Sequence, residues 1–259
     1  MRDLCVSVAA HKRYWMPKDE AYLPVWAGSA LKAPADLPQG WCRDDEGEGI
    51  SEKNRGYCEL TVMYWMWKNV TAKHLGLVHY RRHFSRSPLG GKTSRIASSD
   101  DFLYRLERHP VILPKERNYL IETSYSQYVH AHHSVDLDCT REIIKGKYPA
   151  MLSSYDECMS LTHGHRFNML VMRNDLFDEY CSWLFGILSE LEDELDTSGY
   201  STNDQRVFGF VAERLLDPWI LAHGVDYSEM GVINMESQHW IKKGTSFLKR
   251  KVASGTIRD

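Results

Sequence analysis

Residues 75–84 read LGLVHYRRHF. The apolar run Leu75–Val78 stops at His79, Tyr80, Arg81, Arg82 and His83. A short run without polar alternation predicts a strand buried on both faces, the kind found inside an α/β sheet. Ligands of such sheets bind beyond the carboxyl ends of the strands. Two adjacent guanidinium groups there are costly unless an anion compensates them. The stretch therefore predicts the floor of an anion site, with arginine forks matched to phosphate oxygens. The plainer reading is an exposed loop that carries charge.

Working outward, Leu4–Ala10 (LCVSVAA) predicts another buried strand, ending at His11 and Lys12. Pro34 to Gly49, with the acidic run Asp44–Glu48, has the composition of a solvated loop. Asn54 caps a helix predicted over Gly56–Asn69, whose Leu60, Met63, Tyr64 and Trp67 share one face. Strand, helix and strand in this order suggest a parallel pair with a crossover. Short strands are predicted at Val111–Leu113, Asn168–Met172 and Gly231–Met235. Helices are predicted from Asp100 or Asp101 to Arg108, from Asp136 or Asp138 to Lys147, and over Leu176–Leu195 and Ser201–Ala222. Without an internal repeat or a linker, residues 1–259 read as one α/β domain with a mainly parallel central sheet, flanking helices and a helical C-terminal part.

The 259 residues are 43% hydrophobic and 26% charged, as expected of a globular chain. A net charge of −3 argues against a general nucleic-acid binder, so any basic patch is local. Six cysteines lie scattered without CxxC spacing. Arg2 and Asp3 precede an apolar run too short for a secretory leader, so reduced thiols in a cytoplasmic protein are expected. The exception to the globular pattern is residues 240–252, where Trp240, Ile241, Phe247 and Leu248 alternate with Lys242, Lys243, Lys249, Arg250 and Lys251. This is either a basic amphipathic segment for the inner membrane face or a terminal helix with a solvated basic side.

Other chemistry is weaker. Asp136-Leu137-Asp138 is a DxD that can hold Mn²⁺ or Mg²⁺ against a diphosphate, but it precedes a helix and caps it equally well. His130, His132, His133, His163 and His165 fit no zinc spacing. Glu52 and Lys53 either open a helix or face a ligand, and Asp204 either favours a helix dipole or acts as a base. No GxGxxG, Walker A or GxSxG pattern is present, which removes the dinucleotide, NTPase and α/β-hydrolase readings.

The segments AAHKRYWMPKDEAYLPVWAG, ISEKNRGYCELTVMYWMWKN, GLVHYRRHF, ILPKERNYLIET, DLDCTREIIKGKYP, THGHRFNMLVMRNDLFDEYCSWLF and DQRVFGFVAERLL together resemble one family. It is the family of bacterial capsular- and exopolysaccharide-synthesis proteins long classed as a domain of unknown function and now grouped with glycosyltransferases. The resemblance runs from Cys5 to Lys251. It implies a GT-A-like fold and a hexosyltransferase moving a sugar from a nucleotide-diphosphate donor such as a UDP-sugar, galactofuranose in some members. The implied acceptor is a surface polysaccharide, lipid-linked at the inner membrane face. Phe167–Met172 resembles the FNxGVxL strand bordering the sugar site, and Asp204-Gln205 resembles the DQ pair near the acceptor. The DxD expected after the central strand is replaced by His79-Tyr80-Arg81, which puts metal dependence in doubt.

The expected site has His11, Lys12, Lys53, His79, Tyr80, Arg81 and Arg82 on the donor diphosphate. His163, His165, Asn168 and Gln205 are expected on the sugar or acceptor. Asp204, and after it Glu52, is expected as the base. No resident cofactor is expected, with Asp136 and Asp138 as the fallback for Mn²⁺ or Mg²⁺. The rival readings are a non-catalytic nucleotide-sugar or glycan-binding protein and, behind it, a metal-dependent hydrolase using the histidines.

Overall fold

The computed structural model describes residues 1–33 and 36–236. The basic segment 240–252 lies outside the described residues. Two parallel neighbours flank the first strand, β1 (Arg2–Ala10): β2 (Tyr22–Trp26) on one side, backed by the short β3 (Cys42–Arg43), and β4 (Ala72–His79) on the other. The crossover from β3 to β4 carries α1 (Asn54–Tyr57) and α2 (Leu60–Asn69). A tight turn leads into β5 (Arg82–Ser85), then α3 (Ser99–Leu106) and β6 (Val111–Pro114).

A separate small sheet pairs β7 (Arg117–Asn118) with β8 (His163–Gly164) across α4 (Ser124–Val129), α5 (Ser134–Lys147) and α6 (Leu152–Ser160). The chain then forms β9 (Leu170–Arg173), α7 (Asn174–Glu194), α8 (Val207–Ala212), α9 (Leu216–His223) and β10 (Tyr227–Asn234).

Period-two alternation divides the core between the sheet's two faces. Cys5, Leu75, Leu77, Val111, Leu113, Leu170 and Met172 pack against α2, α5, α7 and α8. Val6, Val8, Val78, Ile112 and Val171 pack against Phe102 and Leu106 of α3. Both faces are covered, which is why β1 and β4 read as unbroken apolar runs.

The sheet is mixed, where a mainly parallel one was expected. β9 runs antiparallel to both β4 and β6, and β5 runs antiparallel to β4 and β10. An apolar run records burial on both faces but not direction, so the reversal of β9 left no trace in the sequence.

Three other expectations change. The helix over Gly56–Asn69 is broken at Cys58, which takes a left-handed φ of 52°. The helix over Ser201–Ala222 is two helices, because Pro218 belongs in the first turn of α9 and its ring would clash with a continuous preceding helix. Asp44, in the supposedly solvated loop, is fully buried. Its carboxylate accepts from the Gly28 and Ser29 amides and from the Ser29, Ser51 and Thr61 hydroxyls, tying the turn after β2 to the turn before α1 and to α2. Gly28 has φ 70°, and a Cβ there would lie 2.7 Å from Asn54, so this turn needs glycine.

Candidate active site

Ala9 and His79 are register partners, so β1 and β4 end at the same edge of the sheet. A cleft of about 580 Å³ opens there. His11, His79, Tyr80 and Arg81 line it from the strand ends. Asn54, Arg55, Cys58 and Glu59 form the wall at α1, and Thr202, Gln205 and Arg206 close the opposite side. Ion-paired arginines among the described residues are Arg43, Arg86, Arg141, Arg166, Arg173 and Arg214. Arg55, Arg81, Arg82 and Arg206 are not among them.

These cations sense one another. Burial, then the Arg81, Lys12 and Arg206 charges, lower the His11 pKa. Burial and the adjacent Arg81 likewise lower that of Arg82, whose guanidinium lies 4.5 Å from the Phe167 ring centroid. Arg206 donates to the Cys58 sulfur at 3.1 Å, and burial pushes that thiol up to about 11, so it stays neutral.

Glu59 is the one carboxylate among the lining residues. Its side chain is 13% exposed and its Oε1 accepts from Asn168 Nδ2 at 2.7 Å. Asn168 also donates to the Gly209 carbonyl at 3.0 Å, so the amide is clamped between wall and helix. Phe167 and Asn168 both have positive φ, 83° and 51°. Consecutive left-handed non-glycine residues are strained and persist only where their surroundings hold them. Here His79 holds them: its Nε2 donates to the Phe167 carbonyl at 2.5 Å and lies 3.9 Å from Glu59 Oε1. Burial lowers the His79 pKa, so a neutral imidazole makes that bond.

Residues 5–224 match the family described as a domain of unknown function (DUF4422). This chain belongs to the DUF4422 family. It is also similar to the apo structure of the WbbM bifunctional glycosyltransferase, with a TM-score of 0.84 and 26% identity over 91% of this chain. The match covers 46% of the WbbM chain, so the present chain spans about half its length. No curated protein matches the sequence.

Within this DUF4422 fold, the structure brings His11, His79, Tyr80, Arg81 and Gln205 together in the cleft. Arg82 and Asn168 stand directly behind it. Other expected residues lie elsewhere. Lys12 is at the rim, 3.0 Å from Glu236. Lys53 turns to Glu192 at 2.6 Å, and Glu52 is exposed and does not line the cleft. Asp204 precedes Gln205 but turns to other partners, accepting from Ser201 Oγ at 2.6 Å and lying 3.2 Å from His132 Nδ1. These partners lower its pKa. An acid committed to such contacts is a poor base, and it does not line the cleft.

His163 and His165 are set apart because β8 pairs with β7 and not with the main sheet. They line a separate pocket of about 200 Å³, where His163 meets Glu116 at 2.9 Å and His165 meets Asp217 at 2.5 Å.

The donor set for a metal does not fit. Asp136 and Asp138 are two residues apart on α5, about 200° around the helix. Asp136 is buried and accepts from the Tyr128 and Tyr200 hydroxyls, while Asp138 accepts from Tyr125. In the cleft, one carboxylate stands among cations. No group of three or more His, Cys, Asp or Glu side chains among the described residues is arranged to hold a metal ion.

Sequence reasoning missed Glu59, Arg55 and the inward role of Arg206. Glu59 sits inside a good helical pattern, and the signal that exposes it is the kink at Cys58, which local composition does not show.

Proposed function

We propose that this cleft transfers a sugar from a nucleotide-diphosphate donor to a hydroxyl of a glycan acceptor. The similarity to a bifunctional glycosyltransferase supports glycosyl transfer as the general activity. The observation that carries the reading is Glu59, one oriented carboxylate in a wall of arginines that have no ion pair among the described residues. The donor diphosphate sits against Arg81, Arg55 and Arg206. As the bond from anomeric carbon to diphosphate oxygen breaks, its electron pair leaves with the diphosphate, and the arginines stabilise the developing charge. The acceptor hydroxyl oxygen bonds to the anomeric carbon and gives its proton to Glu59. Asn168 aims that carboxylate, and His79 holds the strained turn that presents Asn168. Fixed arginine charge takes the place of a divalent cation.

UDP-galactofuranose is the first donor to test and a lipid-linked surface polysaccharide the first acceptor, both on the family resemblance. The hydrolase reading loses its support, because the histidines are split between Glu122, Asp204 and the pocket of His163 and His165, and none of these sets gathers three metal-holding side chains among the described residues. The test is turnover of a panel of UDP- and GDP-sugars by the purified chain, with and without EDTA. Donor consumption that survives EDTA and vanishes in Glu59→Gln is expected. Tight nucleotide binding without turnover of any donor would leave the binding-protein reading in its place.

A further inference from the structure

Phe167, held at a left-handed φ of 83°, touches two arginines. The Arg82 guanidinium lies 4.5 Å from its ring centroid and that of Arg117 lies 5.6 Å from it. No other ring among the described residues has two guanidinium groups against it. Arg108, Arg166, Arg206 and Arg214 each meet one ring and also donate to a protein atom. Arg82 and Arg117 donate to none among the described residues. Arg117 is exposed. Arg82 is half-buried, yet its nitrogens are not sealed in.

The carboxylates around this pair are committed elsewhere. Glu213 lies 3.3 Å from Arg214, and Glu236 lies 3.0 Å from Lys12. Glu116, beside Arg117 in the chain, meets His163 at 2.9 Å. Glu229 accepts from the Glu116 amide and lies 3.1 Å from His165, and Glu59 accepts from Asn168. Burial and the Arg81 charge outweigh the charges of Glu213 and Glu59 on Arg82. The pair also continues the strand-end edge that holds the cleft. Arg82 opens β5 opposite His79 of β4 and Asn234 of β10. β6 runs parallel to β10 and ends at Pro114, just before Arg117. Across the order β1-β4-β5-β10-β6, the cleft lies over the first two strands and the arginine pair over the rest. Asn168, which follows Phe167, joins them through its hydrogen bond to Glu59.

We infer that Arg82 and Arg117 clamp an anionic group of the acceptor, so that the glycan bound beside Glu59 carries a carboxylate or a phosphate on one of its sugars. This rests on the transfer reading, which gives the clamped sugar the acceptor's role. A half-buried guanidinium without an acceptor is costly, and its fork matches two oxygens of a carboxylate or phosphate. The donor diphosphate does not meet this need, because Arg55, Arg81 and Arg206 line the cleft whereas Arg82 and Arg117 do not. Phe167 acts as the spacer: one ring fixes both guanidinium groups, so the clamp exists before its ligand arrives. A neutral glycan leaves both arginines unanswered, and the clamp therefore selects among acceptors by charge.

The experiment is calorimetry on the full chain, with and without saturating UDP. The probes are a galacturonate trimer against its methyl ester, and galactose 6-phosphate against galactose. One of the two acids should bind about tenfold more tightly than its uncharged counterpart. That margin should shrink as salt rises and persist with UDP bound. The acid with the larger margin names the anion. Arg117→Gln, at an exposed position and folded by circular dichroism, should erase the margin. Arg117→Lys should restore only part of it, because lysine has charge without the fork. Arg108→Gln, which removes a stacked arginine after α3, should bind as wild type. Equal binding of both acids and their uncharged counterparts would overturn the inference, as would an unchanged margin in Arg117→Gln. So would displacement of the acid by UDP, which would place it in the diphosphate site. The expected binding without sugar transfer from any donor would leave the anion clamp standing and fault the transfer reading alone.

Discussion

The cleft at the ends of β1 and β4 and the pocket around His165 are built from the same residue types, yet they are opposites. In the small pocket His163, His165 and Arg166 each meet a carboxylate. His165 lies 2.5 Å from Asp217 and 3.1 Å from Glu229, while buried Arg166 meets Asp217, the Tyr119 hydroxyl and the Ser124 hydroxyl. Burial alone would lower the His165 pKa, but the hydrogen bond and charge of Asp217 outweigh it and the net shift is upward. In the cleft, His11 and His79 are shifted down, and Arg55, Arg81 and Arg206 have no ion pair among the described residues. Paired charges are part of the fold's own cohesion. The cations facing the cleft have no such role among the described residues, and the proposed diphosphate is what would answer them.

The largest test of this contrast is Glu59→Gln. It should lower transfer by about 10³-fold with the melting temperature nearly unchanged. Activity within a few fold of wild type would mean that the cleft's one carboxylate is not the base. Asp217→Asn should do the reverse, costing about 3 kcal/mol because it leaves Arg166 and His165 buried beside a neutral amide. Urea unfolding measures that loss, and a variant as stable as wild type would show that the paired cluster is not structural.

A third test concerns His83, which is fully buried with neither ring nitrogen partnered among the described residues and is pushed down to about 4 by burial. The unfolded chain takes up this proton near the ordinary value of about 6.5 and the folded chain only near 4. Between these values the unfolded state holds more protons, so stability falls as pH falls through that window, by on the order of 3 kcal/mol. His83→Leu should flatten this acid limb. An unchanged limb would assign it to other groups. His165 has the opposite sign: its contribution is present below the unfolded pKa and is lost as pH rises through the raised folded value. The smallest effect is expected from Arg81→Ala, about tenfold weaker UDP binding by calorimetry, with Asp204→Asn near wild type. Equal affinities for Arg81→Ala and wild type would take the diphosphate away from Arg81.

Much of this was legible in the chain. β1 and β4 are long apolar runs that end in cations, and the register pairing Ala9 with His79 puts those cations at one edge. Asn168 also stood out, and the structure hydrogen-bonds its amide to Glu59 and to the Gly209 carbonyl. Glu59 itself was hidden. Leu60, Met63, Tyr64 and Trp67 make a convincing helical face, and a helix continued back through Cys58 gives no reason to single out the acid before it. Asp204 was overvalued for the converse reason, since a helix-opening acid looks the same whether it faces a cleft or, as here, Ser201 and His132. Asp44 looked solvated because its neighbours in sequence are acidic, while its neighbours in space are amides and hydroxyls.

The sequence by itself determined where the sheet's buried strands run and that positive charge collects at their ends, because burial and charge are properties of residues in a row. It did not determine strand direction, the break before Glu59, or which of many acids and histidines find partners. Those depend on backbone dihedrals and on side chains brought together from distant parts of the chain. Glu59, Asn168, His79 and Gly209 meet only after β9 has folded back against β4, and only then does one carboxylate stand apart from the rest.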